Sequence, residues 1–347
     1  MRVEENKPLA PFTTFGIGGP ARWFVEAASE DEVTEAAAWA RAQGLALFVL
    51  GGGSNLLVSD DGFDGLVLRV GLRGVAVDDV ERAGEKNYRV AAGEDWDGFV
   101  ERTVRDQCAG VECLAGIPGT VGGTPVQNVG AYGQEVASVI KRVRAFDREQ
   151  DAYVEFSAAE CGFAYRRSRF NAEDRARYVV TRVDYRLTPG GAPTLRYADL
   201  QRVLAESGAA PSLAEVAAAV RRIRLAKGML LVEGDADCRS AGSFFKNPVV
   251  SEDEVRRVAE CSEKEPPRFP AGDGKVKLPA AWLIEQAGFS KGYALGAAGV
   301  SSRHTLALIN RGGATAREIL ELARQIAAAV EVRFGIELEM EPVLVGL

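Results

Sequence analysis

Polar and apolar positions in the N-terminal part follow first a helical and then a strand period. Residues 29–44, SEDEVTEAAAWARAQG, read as an amphipathic helix, with Ser29 and Glu32 in capping-box spacing at its start and Gly44 as its stop. LALFVL then predicts a buried strand, and a second is predicted around Gly65–Val70. Between Tyr88 and Leu187 the runs YRVAAG, KRVRAFDR, AYVEFS and RYVVTRVDYRL predict short strands, interrupted by one helix over about Asp95–Cys108. The pattern changes near residue 212. PSLAEVAAAVRRIRLAKG predicts a helix, two more follow at 251–263 and 280–287, and the loop between them contains PPRFPAGDGK. LALIN resembles a buried strand, and TAREILELARQIAAAVEVRFG a long helix with Thr315 and Glu318 in capping-box spacing. The chain is expected to end on the strand IELEMEPVLVG, where Glu337, Glu339 and Glu341 alternate with Ile336, Leu338 and Met340 and so share one face. The fold class is α+β, with a strand-rich first half and a helix-rich second.

Composition narrows the function. The 347 residues give room for two or three domains, and 47% apolar with 26% charged residues is ordinary for a folded chain. A net charge of −7 supplies no basic field, so no nucleic-acid partner is expected and phosphate recognition must be local. The opening MRVEENKPLAPFTTFG is charged where a secretion signal is apolar, and no apolar run is long enough for a bilayer. Five cysteines without CxxC spacing read as reduced thiols, which points to the cytoplasm. His304 is the only histidine, so no multi-histidine metal site is available and no metal is expected. A proton donor must then be a carboxyl, lysine, tyrosine, hydroxyl or arginine-supported water.

Glycine gathers in TFGIGGPA (14–21), LGGGSNLLVSDDG (50–62) and AGIPGTVGGTPVQNVGAYGQE (115–135). Such loops turn backbone N–H groups toward an anion. A dinucleotide fingerprint would open a helix after a strand, whereas Gly51–Gly53 lead into Ser54, Asn55 and another apolar strand. Three loops in one half, two carrying Asn together with Ser or Thr, point instead to a large phosphorylated cofactor. They resemble the FAD-binding segments of the UDP-N-acetylenolpyruvoylglucosamine reductases, with the likeness running from about residue 10 to 346. The resemblance implies a two-subdomain FAD-binding fold of the vanillyl-alcohol-oxidase (PCMH) type plus a C-terminal α+β substrate-binding domain. The corresponding divisions are 1–71, 72–211 and 212–347, with the terminal strand reaching back to the active site. The implied cofactor contacts are Gly51, Gly52, Gly53, Ser54, Asn55, Gly116, Ile117, Pro118, Gly119, Gly122, Gly123, Gln127, Asn128, Gly130, Ala131 and Tyr132.

The same resemblance assigns roles. In CGFAYRRSRF, Arg166 would stabilise the substrate carboxylate as it becomes enolate-like, since arginine grips carboxylate with two prongs; Arg167 and Arg169 read as surface. In SAGSFFKNP, a serine beside glycine is ordinarily a turn residue. A hydroxyl is a poor acid and becomes useful only beside a carbanion-like base, which reduction of an enol ether supplies; the resemblance makes Ser243 that proton donor. An acidic residue five before Gly346 places the third catalytic group at Glu341, with Glu339 as the other register; Pro342 and Val343 stand where many relatives carry an arginine. Substrate contacts are implied for Tyr165, Tyr197, Lys227, Asn247 and His304, with buried capping as the rival reading of His304. Phe244 and Phe245 read as packing. NADPH would reduce FAD, and the enolpyruvyl ether of UDP-N-acetylglucosamine would then be reduced to UDP-N-acetylmuramate by a monomeric enzyme. The other readings are a sugar or lactone oxidase on the same flavin fold, and a non-catalytic nucleotide-sugar-binding protein.

Overall fold

Ser29 accepts a hydrogen bond from the Glu32 amide and begins the helix Glu30–Ala42, which buries Val33, Ala36, Ala37 and Ala40 on one face. In this computed structural model the described residues are 1–78, 84–205 and 210–347. They divide into two units, one of Met1–Lys7, Ala21–Gly53 and Asp64–Leu225, the other of Pro8–Pro20, Ser54–Phe63 and Ala226–Leu347.

The first unit holds two large sheets and a two-stranded one, Gly130–Ala131 with Gln134–Glu135. A four-stranded sheet runs in the order Glu4–Pro8, Pro20–Ala27, Phe63–Val70, Leu47–Leu50, the last two parallel with Leu47 opposite Leu66. The second sheet is antiparallel: Ala152–Ser157, Ile140–Asp147, Tyr178–Pro189, Lys86–Ala91 and Val75–Asp78 lie side by side, and Cys108–Ala109 pairs with the end of the long strand. Short alternating runs become this antiparallel sheet because each buries one face and bonds its backbone to a neighbour. The helix Trp96–Arg105, capped by Asp95, packs Trp96 and Phe99 within 5.9 and 5.0 Å of the Tyr185 ring. The buried Tyr185 hydroxyl meets that of Thr124 at 2.6 Å.

In the second unit the helix Ala316–Phe334 is the spine. Thr315 and Glu318 form a reciprocal capping box, Gly335 ends the helix at φ 65°, and Ile319, Leu322, Ala323, Ile326 and Val330 are buried. Asp60 accepts from the amides of Ala316 and Arg317 at 2.8 and 3.2 Å, placing a carboxylate at the positive end of the helix. Thr315→Ala is expected to cost about 1 kcal/mol, read as a lower denaturant midpoint at unchanged slope.

Two expectations are corrected. Only Val343–Val345 of the C-terminal run forms a ladder, parallel to Leu56–Val58; Ile336–Glu341 makes only the isolated bridge Phe245↔Met340, which belongs to no strand. Pro342 lacks an N–H to continue pairing, so the alternation that buries Ile336 and Leu338 reflects packing on the spine's core. The second unit is also richer in strands than the pattern suggested. It contains Val249–Val250, Val276–Lys277 and Phe269–Pro270 in one sheet, and Ala294–Leu295, Ala298–Val300 and Leu308–Asn310 in another. Strands of two or three residues are too short to carry a readable period. Among the described residues no helix is long and apolar enough to cross a membrane.

Candidate active site

Two glycine-rich loops of the first unit come into backbone contact. A Cβ on Gly52 would stand 2.5 Å from the Gly119 Cα and 2.9 Å from the Thr120 nitrogen, so no side chain fits there. Beyond the missing Cβ of Gly123 the space is open. The loop Gly116–Thr120 is held from behind: Gly116 donates to Asp97 at 2.6 Å, its carbonyl accepts from Arg224 Nε at 2.9 Å, and Trp96 donates to the Gly119 carbonyl at 3.1 Å. Asp97 is gripped at 2.6 and 2.7 Å by Arg221, while Arg224 is buried and bonds Tyr132. Two glycine-rich loops in backbone contact, with open space at Gly123, suit a flat, diphosphate-bearing cofactor, so these residues fit FAD. The Gly122 and Gly123 amides are engaged by the Ala92 and Thr120 carbonyls; a Cβ on Gly122 would stand 2.6 Å from the Ala92 Cβ, so that glycine serves close packing, and only Gly123 opens on free space.

Asn128 is fully buried, donating to Glu135 and to the Ala164 carbonyl and accepting from Ala137. It anchors a tight turn in which Ala164 and Arg167 exchange backbone hydrogen bonds and Tyr165 and Arg166 form the tip. Arg166 sits at φ 54°, with its carbonyl held by Asn171 and its guanidinium 5.4 Å from the Tyr165 ring. A non-glycine residue in this region is strained, and such strain gathers at functional sites. Tyr132 and Tyr197 meet edge to face at 5.3 Å, joining an expected cofactor residue to an expected substrate residue. Arg167 pairs with Glu173 at the surface. Arg169 departs from the surface reading: it bonds Asp174 and lies 4.1 Å over the Phe156 ring, so it is part of the packing.

The second unit carries Ser54, Asn55, Lys227, Ser243, Asn247, His304 and Glu341. The segments of Ser243 and Glu341 are stitched together: the Glu341 amide donates to the Phe244 carbonyl at 2.9 Å, and the Lys246 amide to the Glu339 carbonyl at 2.9 Å. Asn55 donates to the Glu341 carbonyl at 3.2 Å and accepts from the Val343 amide at 2.9 Å. Glu341 is half-buried, whereas Glu339 is exposed and pairs with Lys246. Phe244 and Phe245 are buried edge to face at 5.4 Å, so the pair packs as expected. Asn247 accepts from the Ala280 amide at 2.9 Å, at the start of the helix Ala280–Gln286, which leaves its NH2 for other work.

His304 is half-buried on a loop whose amides at Arg303 and His304 are satisfied by the buried Ser301 hydroxyl. Asp237 fixes the same loop, accepting from the Ser302 amide and hydroxyl at 2.8 and 2.6 Å. Burial, with the nearby cations Lys227 and Lys291, lowers the His304 pKa from 6.5 to about 4. The imidazole is therefore neutral at physiological pH, and the two lysines supply positive charge beside it. Between pH 6.5 and 4 the unfolded chain binds a proton that the folded chain does not, so stability is full above 6.5 and falls as pH drops through that window. His304→Gln is expected to flatten the pH dependence of the denaturant midpoint there. Lys291 and Asp237 escaped the sequence reading. Each looks like a lone surface charge until the loop of His304 brings it in.

Residues 234–345 match the family described as UDP-N-acetylenolpyruvoylglucosamine reductase, C-terminal domain, and residues 21–154 the FAD binding domain. A UDP-N-acetylenolpyruvoylglucosamine reductase of Thermobifida fusca is 49% identical over 350 residues, covering 99% of this chain and 98% of that protein. Its counterpart in Streptomyces coelicolor is 48% identical over 351 residues, covering 99% and 90%. The crystal structure of UDP-N-acetylenolpyruvylglucosamine reductase (MurB) from Thermus caldophilus is similar at a TM-score of 0.68 and 27% identity, with 99% of both chains covered. With the mixed helix and sheet content, these matches carry the α+β flavin-binding fold expected from the glycine-rich loops.

Proposed function

Because the chain belongs to the UDP-N-acetylenolpyruvoylglucosamine reductase family, we propose that it reduces the enolpyruvyl ether of UDP-N-acetylglucosamine to UDP-N-acetylmuramate at the expense of NADPH. It is an oxidoreductase with an FAD-binding domain. The structural observation that supports the reading best is the hydrogen bond from the Glu341 amide to the Phe244 carbonyl, which makes neighbours of the segments carrying a hydroxyl and a carboxyl.

FAD, when bound, supplies the hydride that the terminal alkene carbon receives. The loops around Gly51–Gly53 and Gly116–Thr120 would hold it by backbone groups, with Asp97 and Arg224 keeping the second loop in shape. Arg166 grips the substrate carboxylate, where negative charge develops, and steadies it. Ser243 gives its hydroxyl proton to the carbon bearing the ether oxygen: that O–H bond breaks as the new C–H bond forms, and the oxygen regains a proton from solvent. Glu341 polarises the same centre. Lys227 and Lys291 face the substrate's diphosphate, and Tyr165, Tyr197, Asn247 and the neutral His304 complete its contacts. The cytoplasm, where NADPH and nucleotide sugars meet, is the proposed compartment, and the monomer the proposed form.

The purified protein is expected to be yellow and to oxidise one NADPH for each enol ether consumed, checked by absorbance and product mass. Colourless protein, or oxygen consumption driven by free sugars, would contradict the reading.

A further inference from the structure

We infer that Thr14 is a positioning residue for Ser243, its hydroxyl fixing the turn that presents the Ser243 side chain; this rests on Ser243 being the proton donor proposed above. Thr14 lies in the segment TFGIGGPA, whose likeness is to a cofactor loop, yet residues 8–20 belong to the same unit as Ser243. Its hydroxyl stands 2.5 Å from the Ser240 carbonyl and 3.5 Å from that of Ser54. A hydroxyl has one proton, and the distances give it to Ser240. Its neighbour Thr13 marks the contrast: that hydroxyl bonds Ala10 and Ile17, three and four residues away, as a turn threonine does. Thr14 instead reaches a carbonyl 226 positions away in sequence, three residues before Ser243.

The attachment falls where the turn needs one. Gly242 sits at φ 73°, where a Cβ would meet nothing within 4 Å, so the turn is unsupported on that side. Its amide is held by the Ser240 hydroxyl at 3.2 Å, which makes Ser240 the hub of the turn. Phe15 continues the same clamp. Its ring is edge-on to Phe244 at 6.3 Å, and its carbonyl accepts at 3.0 Å from Asn310, whose own amide donates to the Arg239 carbonyl at 2.9 Å. Thr14 and Phe15 therefore hold the chain on both sides of Ser243. A hydroxyl that must face a short-lived carbanionic carbon has to be aimed before the charge appears, because turning it afterwards costs rate.

Thr14→Val keeps the shape and removes the hydroxyl, while Thr14→Ser keeps the hydroxyl. Thr14→Val is expected to slow the enol-ether step about tenfold, the loss of one hydrogen bond, while flavin reduction by NADPH keeps its rate. Amide exchange in the segment 240–244 should quicken by a similar factor in the absence of substrate, and Thr14→Ser should restore both readouts. The inference is overturned if Thr14→Val matches the wild type in both, if both half-reactions slow alike, or if Thr14→Ser is as impaired as Thr14→Val. A wild-type protein inactive on the enol ether would sink the functional reading instead, and a fully active Ser243→Ala variant the role of Ser243. The exchange readout separates both from a failure of the clamp.

Discussion

Ser243→Ala is expected to slow reduction of the enol ether on the order of 10³-fold while NADPH still reduces the flavin at the wild-type rate. The substitution leaves the backbone in place: Phe244 donates to the Leu306 carbonyl at 2.8 Å, accepts from the Glu341 amide at 2.9 Å, and is fully buried beside Phe245. None of these contacts uses the Ser243 hydroxyl. If Ser243 served only the turn, alanine would cost about 1 kcal/mol of stability at most and leave turnover alone. A 10³-fold loss corresponds to about 4 kcal/mol, too large for a turn residue. Stopped-flow absorbance resolves the two half-reactions, and the loss must fall on the second. Wild-type turnover by the variant removes Ser243 from the mechanism.

Glu341→Gln and Glu339→Gln should part company. The first is expected to lose on the order of 10²-fold in kcat for the enol ether, and the second to stay within about twofold of the wild type. The sequence alone left both registers open, since the two carboxylates share a face of one extended run. The structure separates their surroundings. Glu339 is exposed and tied to Lys246, an ion pair whose removal costs little in water, while Glu341 is half-buried with its backbone bonded to Phe244 and Asn55. Steady-state kinetics on the two variants decides the matter, and equal losses would show that the carboxyl acts through the local fold rather than at the reacting centre.

Much of this was legible from residues alone, for physical reasons. Helices such as Glu30–Ala42 and Ala316–Phe334 announce themselves because caps and apolar stripes are local properties of the chain. The long strands of the antiparallel sheet are legible for the same reason. Two kinds of feature were not. Strands like Val249–Val250 or Leu308–Asn310 exist because of their partners, not because of any internal period, and the run Ile336–Glu341 imitates a strand without pairing as one. Among the candidate functional residues, Gly52, Arg166 and Ser243 could be named from their segments. The contacts that hold them in place could not: Asn128, named only as a cofactor contact, stands behind the Arg166 turn, and like Asp97 behind Gly116, Asp237 beneath the His304 loop and Thr14 on Ser240 it acts across a long stretch of sequence. Their types are common, and only the folded chain gives them a partner.

The central claim is that this chain holds a flavin that would carry electrons from NADPH to the alkene, and anaerobic two-stage mixing tests it most directly. Adding NADPH to the purified, flavin-loaded protein should bleach the flavin band. Adding the enolpyruvyl ether of UDP-N-acetylglucosamine should then restore the band without oxygen, with one UDP-N-acetylmuramate formed per flavin. A flavin that stays bleached when the ether is added and recovers only on admission of air would contradict the account.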